Sequence, residues 1–234
     1  MFYKLSNTAH LPAIEDAFDA SFKFPLLYET SQLINGLSEK SLPIITMSEP
    51  STINYAIWGL LPQNFKEGWE SFQNLTNTLN ISIEEIDTLN WVNSLLNKQR
   101  CAIIVTGFFT SYVYNGKVYP FYVYEKNHMP FAIAGVYSEL NDGFLSVSII
   151  TSALENELNE VHNLGKEFPI ALSTKHYIQW LNPENDFTKD DFKSLNRLEL
   201  KAHTISKEFY KNNIIFDDIL KKAHYEDLPI LSLK

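Results

Sequence analysis

Between Ser111 and Tyr124 the chain runs SYVYNGKVYPFYVY, two alternating aromatic and β-branched runs on either side of Asn115-Gly116. No other segment constrains the fold as strongly. Alternation of this kind sends successive side chains to opposite faces of a strand, and Asn-Gly readily supplies the positive φ angles of a two-residue hairpin turn. Just upstream, CAIIVTGFF (Cys101 to Phe109) is a continuous apolar run, the pattern of a strand buried on both faces. A sheet therefore forms the centre of this chain.

Two further strands are expected from MPFAIAGVYSEL and GFLSVSIITSAL, joined by a turn at Asn141-Asp142-Gly143. Earlier, SLPIITMSEP predicts a short strand entered through Pro43 and closed by Glu49-Pro50, and TINYAIWGLLP a second that ends at Pro62. The Asn-rich passage QNFKEGWESFQNLTNTLNIS predicts loop and short helix, the kind of segment on which sites are often built. Helical spacing recurs in Leu11, Ile14, Ala17 and Phe18, with Thr8 as the expected cap and Pro12 in the first turn. It recurs again from Ile86 to Leu96, from Ala153 to Val161, and from Thr174 to Leu181 with Ser173 or Thr174 as cap. The closing LKAHTIS alternates, and the sequence then becomes polar and irregular. With no repeat, linker or break in composition, the expectation is one α+β domain over residues 1–234, with a core at 1–206 and an irregular tail at 207–234.

Composition removes several classes. The chain is 45% hydrophobic, too much for disorder, and its single Cys excludes a disulfide scaffold or a Cys-rich zinc module. Nineteen Lys and Arg face 28 Asp and Glu, a net charge of −9, which argues against wholesale coating of nucleic acid. The start lacks a cationic stretch leading into an apolar core, and no apolar run approaches the roughly 20 residues of a membrane span, so a cytoplasmic protein with no membrane partner is expected.

Motifs alone give little. There is no Gly-rich phosphate loop, no His-x-x-x-His pair and no Gly-x-Ser-x-Gly elbow, and the six His are scattered without ligand spacing. No metal and no cofactor is expected. Cys101 opens an apolar run and is expected to be buried and inert. Glu84 and Glu85 suit either a carboxylate pair or a solvated helix start.

More comes from the order of seven blocks: Trp58-Gly59-Leu60-Leu61-Pro62; Leu79-Asn80-Ile81-Ser82-Ile83-Glu84-Glu85; Cys101 to Ile104 leading into Gly107-Phe108-Phe109-Thr110; Lys117 to Tyr122; Phe131 to Gly135; Val161-His162-Asn163 running to Pro169-Ile170-Ala171-Leu172; and Leu200 to Ser206. In order and spacing they resemble the SOS-response-associated peptidase family, also known as abasic-site processing proteins. The resemblance implies a bent mixed, barrel-like and bifurcated β-sheet flanked by helices. It also implies a chemistry. A cysteine at position 2, freed by removal of Met1, adds its thiol and α-amine to the aldehyde of an abasic site in single-stranded DNA and closes a thiazolidine. An asparagine orients the adduct, a glutamate handles protons at the amine, a histidine acts on the sugar, and arginines hold phosphates.

Residue by residue, this chain departs from that set. Asn80 and His162 match the asparagine and histidine, and Glu84 is retained. Phe2 stands at the cysteine position, where it also disfavours removal of Met1, and Thr110 stands at the glutamate position. Ser82 and Glu167 fall where arginines are expected, Lys4 falls where the family has arginine or histidine, and Trp58 opens the block assigned to the binding surface. Residues 1–173 hold 9 basic and 18 acidic groups, and the whole chain only two arginines, Arg100 and Arg197. The leading expectation is a catalytically inactive homologue, monomeric, with single-stranded DNA binding weakened by acidic charge and no protein partner identifiable. His162 as a structural histidine and Asn80 as a turn residue remain open. So do a weak Schiff-base lyase acting through the Met1 amine or Lys4, and a protein-binding scaffold built on the aromatic residues between Tyr112 and Tyr124.

Overall fold

The computed structural model describes residues 2–88, 90–153, 157–187, 191–192, 198–211 and 218–229. The strands in chain order are β1 (Lys4–Asn7), β2 (Ser21–Phe22), β3 (Ser31–Asn35), β4 (Ser41–Thr46), β5 (Glu49–Trp58), β6 (Asn80–Ser82) and β7 (Arg100–Val105). They continue with β8 (Gly107–Tyr114), β9 (Lys117–Glu125), β10 (Phe131–Glu139), β11 (Leu145–Ser152), β12 (Phe168–Pro169), β13 (Ala171–Leu172) and β14 (Leu200–Thr204). The helices are α1 (Leu11–Phe18), α2 (Trp69–Leu75), α3 (Asn90–Leu96) and α4 (Thr174–Leu181).

The central hairpin forms at the predicted place. Tyr114 pairs with Lys117, and Asn115 and Gly116 take φ of +48° and +72°, the left-handed pair a type I′ turn requires. The apolar run before it is not one strand. It breaks at Thr106 into β7 and β8, which belong to different sheets. The cause lies in packing: a Cβ on Gly107 would sit 2.4 Å from the ring of Tyr122, so the backbone passes close under that ring. Hydrogen bonds then fix the break. Thr106 Oγ1 accepts from Thr8 N at 3.0 Å and lies 3.2 Å from Ser6 Oγ, while Tyr122 Oη donates to Thr106 O at 3.1 Å.

Around β7 the sheet closes on itself. β7 pairs with β4, β4 with β5, β11 with β10, and β10 with β7, all antiparallel, while β5 and β11 pair in parallel from Ala56–Trp58 to Leu145–Val147. The second sheet runs β14-β9-β8-β1-β3. This is the strand-rich α+β architecture expected from the residues, with the barrel-like, forked sheet that the family resemblance implies. Alternation along β7 divides the core. Ala102 and Ile104 join the cluster covered by α1, α3 and α4, whereas Cys101, Ile103 and Val105 join the cluster shared with the second sheet.

Several local expectations need correction. Thr8 does not cap α1, because the helix starts at Leu11 and the Thr8 hydroxyl faces Thr106 Oγ1 at 3.3 Å; His10 occupies the cap without a side-chain bond, and Pro12 does lie in the first turn. Glu49-Pro50 opens β5 instead of closing β4, since the chain reverses at Met47-Ser48, where Glu49 N donates to Thr46 Oγ1 at 3.2 Å. The segment from Ile86 divides into a 3-10 turn at Ile86–Thr88 and α3, with Leu89 outside the described residues. Of Ala153 to Val161, a 3-10 turn at Glu157–Glu160 is seen, and residues 154–156 lie outside the description. Ser173 caps α4 through its hydroxyl, as predicted. Sequence reading missed β1, β2, β3, β6, β12 and β13. The tail also carries structure: Phe209 and Ile219 are buried with Phe109, Tyr122 and Ile205 on the outer side of the second sheet. Among the described residues no helix is long and apolar enough to cross a membrane.

Candidate functional site

Residue 2 is fixed from two directions. Asn80, at the start of β6, accepts from Phe2 N through Oδ1 at 3.0 Å and donates from Nδ2 to Phe2 O at 2.6 Å. Parallel pairing of β6 with Ile149–Thr151 of β11 holds that amide in place. The Phe2 ring is 3% exposed and packs against Phe108, His162 and Phe168, with ring centroids 5.6, 5.4 and 6.0 Å away.

His162 stands beside this ring because its neighbour is tied to β8. Asn163 bonds both the amide and the carbonyl of Val113, at 2.7 and 2.8 Å, along the edge of β8. His162 Nδ1 then lies 2.6 Å from Thr110 Oγ1. Burial is the main influence on the imidazole and lowers its pKa below the ordinary histidine value, against a backbone hydrogen bond at Ser111 that raises it. A neutral imidazole on a hydroxyl can exchange a proton within the pair, but the hydroxyl supplies no base of its own at neutral pH.

A cavity of about 270 Å³ opens over these groups, lined by Phe2, Tyr3, Lys4, Thr110, His162 and Tyr210 among others. Lys4 reaches it from β1. Its Nζ donates to Phe209 O at 3.3 Å and sits 4.0 Å from the centroid of the Phe209 ring. Burial lowers its pKa, and among the described residues no carboxylate lies within ion-pair distance. Ser111 Oγ and Tyr210 Oη meet at 2.6 Å on the same rim, and burial pushes the Tyr210 phenol up to about 12.

The expected phosphate side is carboxylate-bearing. Ser82 is buried and donates to Glu84 Oε2 at 2.8 Å, and Glu84 Oε1 also accepts from Ser152 Oγ and Ala153 N, each at 3.1 Å. Burial alone would raise the Glu84 pKa, yet these bonds outweigh it and hold the carboxyl below its usual range. Glu167 accepts from Thr151 Oγ1 at 2.7 Å, one strand position from Ser152. Glu84 therefore takes part in a hydrogen-bond cluster while staying exposed, two residues before the 3-10 turn at Ile86–Thr88.

The structure thus gathers Phe2, Lys4, Thr110 and His162 around one cavity, with Asn80 behind residue 2, Ser82 at the end of β6, Glu84 in the turn after it and Glu167 just before β12. Trp58 stands apart. It is fully buried, its indole donates to Leu79 O at 3.0 Å, and it presents no surface to a ligand. Gly59 turns the chain after it at φ +115°, where a Cβ would lie 2.5 Å from Trp69 Nε1, so this block supports the core. Of the hairpin aromatics, Tyr119, Phe121 and Tyr122 are buried and Tyr112, Tyr114 and Tyr124 half-buried, which leaves little open aromatic face. Cys101 is fully buried, with its thiol pKa pushed well up by burial. Among the described residues no cluster of His, Cys, Asp or Glu could hold a metal ion. Phe209, Tyr210 and Ser111 were not anticipated: no spacing links residues that meet across 99 positions.

A closed strand ring joined to an open second sheet, with residue 2 forming the floor of the cavity between an amide and an imidazole, defines the class of α+β protein. The chain belongs to the SOS response associated peptidase (SRAP) family, whose sequence model matches residues 4–212. Its fold is shared with a crystallised protein from Bacteroides thetaiotaomicron, at a TM-score of 0.80 and 22% identity over 95% of this chain and 100% of that one. A protein from Bordetella bronchiseptica aligns at 0.69 and 16% identity over 87% and 99% of the two chains. A phage-related protein from the same organism gives 0.59 and 14% over 88% and 94%. No curated protein matches the chain.

Proposed function

We propose that this SRAP protein is a catalytically inactive homologue of the abasic-site sensors. It has lost the thiol-based crosslinking of its relatives and keeps their cavity as a binding site. The observation that carries this reading is Phe2. Where the chemistry needs a thiol and a freed amine, a buried aromatic ring is packed against the imidazole, and Asn80 holds both backbone polar groups of that residue. A hydroxyl at Thr110 in place of a carboxylate removes the proton carrier. Glu84, in the turn after β6, and Glu167, just before β12, stand where cations would grip phosphates and repel a polyanion within the Debye length of about 8–10 Å.

The test is incubation with single-stranded DNA carrying an abasic site, followed by a denaturing gel. No boiling-stable protein–DNA band is expected, and such a band overturns the reading. Affinity for undamaged single-stranded DNA, measured at two salt concentrations, should be weak and nearly flat with salt, because few cations displace counterions.

A further inference from the structure

The fold carries a second, larger cavity of about 790 Å³, which shares no lining residue with the one over Phe2. Its volume is that of a site for an organic molecule. Two paired strands make the floor. Pro43 of β4 stands opposite Tyr55 of β5, and Ser41 opposite Ile57, so the four side chains turn to one face. Tyr28 supplies a wall. Its hydroxyl donates to Ala9 O at 2.7 Å, and its ring lies 4.9 Å from that of the buried Phe22, which also stands 6.0 Å from the Tyr55 ring. Phe22 thus braces both tyrosines, and the aromatic surface is in place before any ligand arrives. On the other flank of β5, where Leu145 pairs with Ala56, the turn before β11 adds Phe144. Asp142 Oδ1 accepts from Phe144 N at 3.1 Å, which keeps that ring and a carboxylate on one turn.

Apolar surface and charge together select the occupant. Phe24, Leu27 and Phe144 are 49%, 66% and 64% exposed at this cavity, beside the half-buried rings of Tyr28 and Tyr55. Apolar groups gathered in the open around a concavity mark a binding surface. Glu29 and Asp142 line the cavity against Lys40 alone, and among the described residues none of the three is in an ion pair. The lining is therefore net negative, in a chain of net charge −9 whose field draws cations and turns anions away. The negative faces of the aromatic rings favour a cation further.

We propose that this cavity binds an aromatic organic cation, a protonated amine of one or two rings. The ring system packs on Tyr28, Tyr55 and Phe144, and Glu29 and Asp142 neutralise the ammonium. Lys40 opposes the ligand's charge and holds the affinity down. The site lies outside the residue-2 cavity, so the proposal goes beyond the inactive-homologue reading and does not depend on it.

The experiment titrates the full chain, isotope-labelled for amide NMR, with three probes of one shape: the cation tryptamine, its neutral analogue tryptophol and the anion indole-3-acetate. Tryptamine should saturate at millimolar concentration or below and shift the amides of Tyr28, Tyr55 and Phe144, while those of Thr110 and His162 stay in place. It should bind about three- to tenfold more tightly than tryptophol, with indole-3-acetate the weakest of the three. Glu29→Gln combined with Asp142→Asn, which retains an acceptor for Phe144 N, should reduce tryptamine to the affinity of tryptophol. Lys40→Gln should tighten tryptamine. Because Phe144 is exposed, Phe144→Ala should leave the amide spectrum unchanged away from the cavity and weaken every probe. Tryptophol or indole-3-acetate binding as tightly as tryptamine, shifts centred on the residue-2 cavity, or no saturation by tryptamine overturns the proposal. With no DNA present, such a failure leaves the inactive-homologue reading intact, and a boiling-stable band on abasic DNA would strike that reading without touching the titration.

Discussion

Asn80 commits both ends of its amide to residue 2, and the consequence is local and measurable. Asn80→Ala leaves the Phe2 amide and carbonyl without partners, and a loss of about 1–3 kcal/mol in stability follows from the desolvation of unpaired groups. Urea denaturation checks the magnitude, and hydrogen exchange at residues 2–5 should speed up while the strand ring stays protected. Phe2→Ala removes a buried ring from the same place, and about 3 kcal/mol is expected from lost burial and the residual cavity. At this scale the sequence was informative where blocks kept their order: residues 2, 80, 110 and 162 do meet. It was uninformative where a contact depends on how the tail returns. Tyr210 reaches Ser111 only because the turn at Lys207–Tyr210 lies against β8 and β9, and nothing near either residue signals that.

Elements show why a correct reading of hydrophobicity can still misplace a boundary. Cys101 to Phe109 is apolar throughout, and the periodicity of such a run cannot mark where it changes sheet. The break is imposed by Tyr122, which crowds Gly107 and bonds Thr106 from thirteen residues beyond the run. Thr106→Val keeps the shape but removes the hydroxyl that serves Thr8 N and faces Ser6 Oγ, so about 1–3 kcal/mol of destabilisation is expected in chemical denaturation. Short strands escaped notice for a related reason. β6 has three residues, and its existence depends on β11 offering an open edge, not on any pattern of its own. The same logic applies to Arg100, which is fully buried and donates to Leu96 O, Trp180 O and Asn182 O at 3.1, 2.6 and 2.7 Å. It closes the ends of α3 and α4, where carbonyls lack intrahelical donors and the dipole favours a cation. Arg100→Met should lower stability by about 3 kcal/mol, with α4 exchanging its amides first.

Across the whole molecule, two half-buried histidines and one carboxylate set how stability follows pH. His162 and His203 both have pKa values lowered chiefly by burial, and His203 Nε2 bonds Leu220 O at 2.7 Å, tying the C-terminal segment to β14. A histidine whose folded pKa lies below the unfolded value of about 6.5 is neutral in both states above that pH and contributes no penalty there. As pH falls through 6.5 the unfolded chain takes up the proton first, so stability declines until the folded pKa is passed. Glu84, also depressed, adds a second decline below its unfolded value of about 4.3. Thermal melts should therefore show a midpoint that is flat near pH 7–8 and drops below pH 6.5, and His203→Gln should shallow the first drop. The strand-rich plan was legible because long strands carry their own pattern. The closure of the ring was not, because it rests on the parallel pairing of β5 and β11, elements from distant parts of the chain. That joint also bears on speed. Ala56 has to find Leu145 before the ring can shut, and the loop entropy of such a meeting is lost before its contacts form. The protein is thus expected to refold on the slow side for its size, with a late kinetic phase sensitive to substitutions at the seam between Ala56–Trp58 and Leu145–Val147.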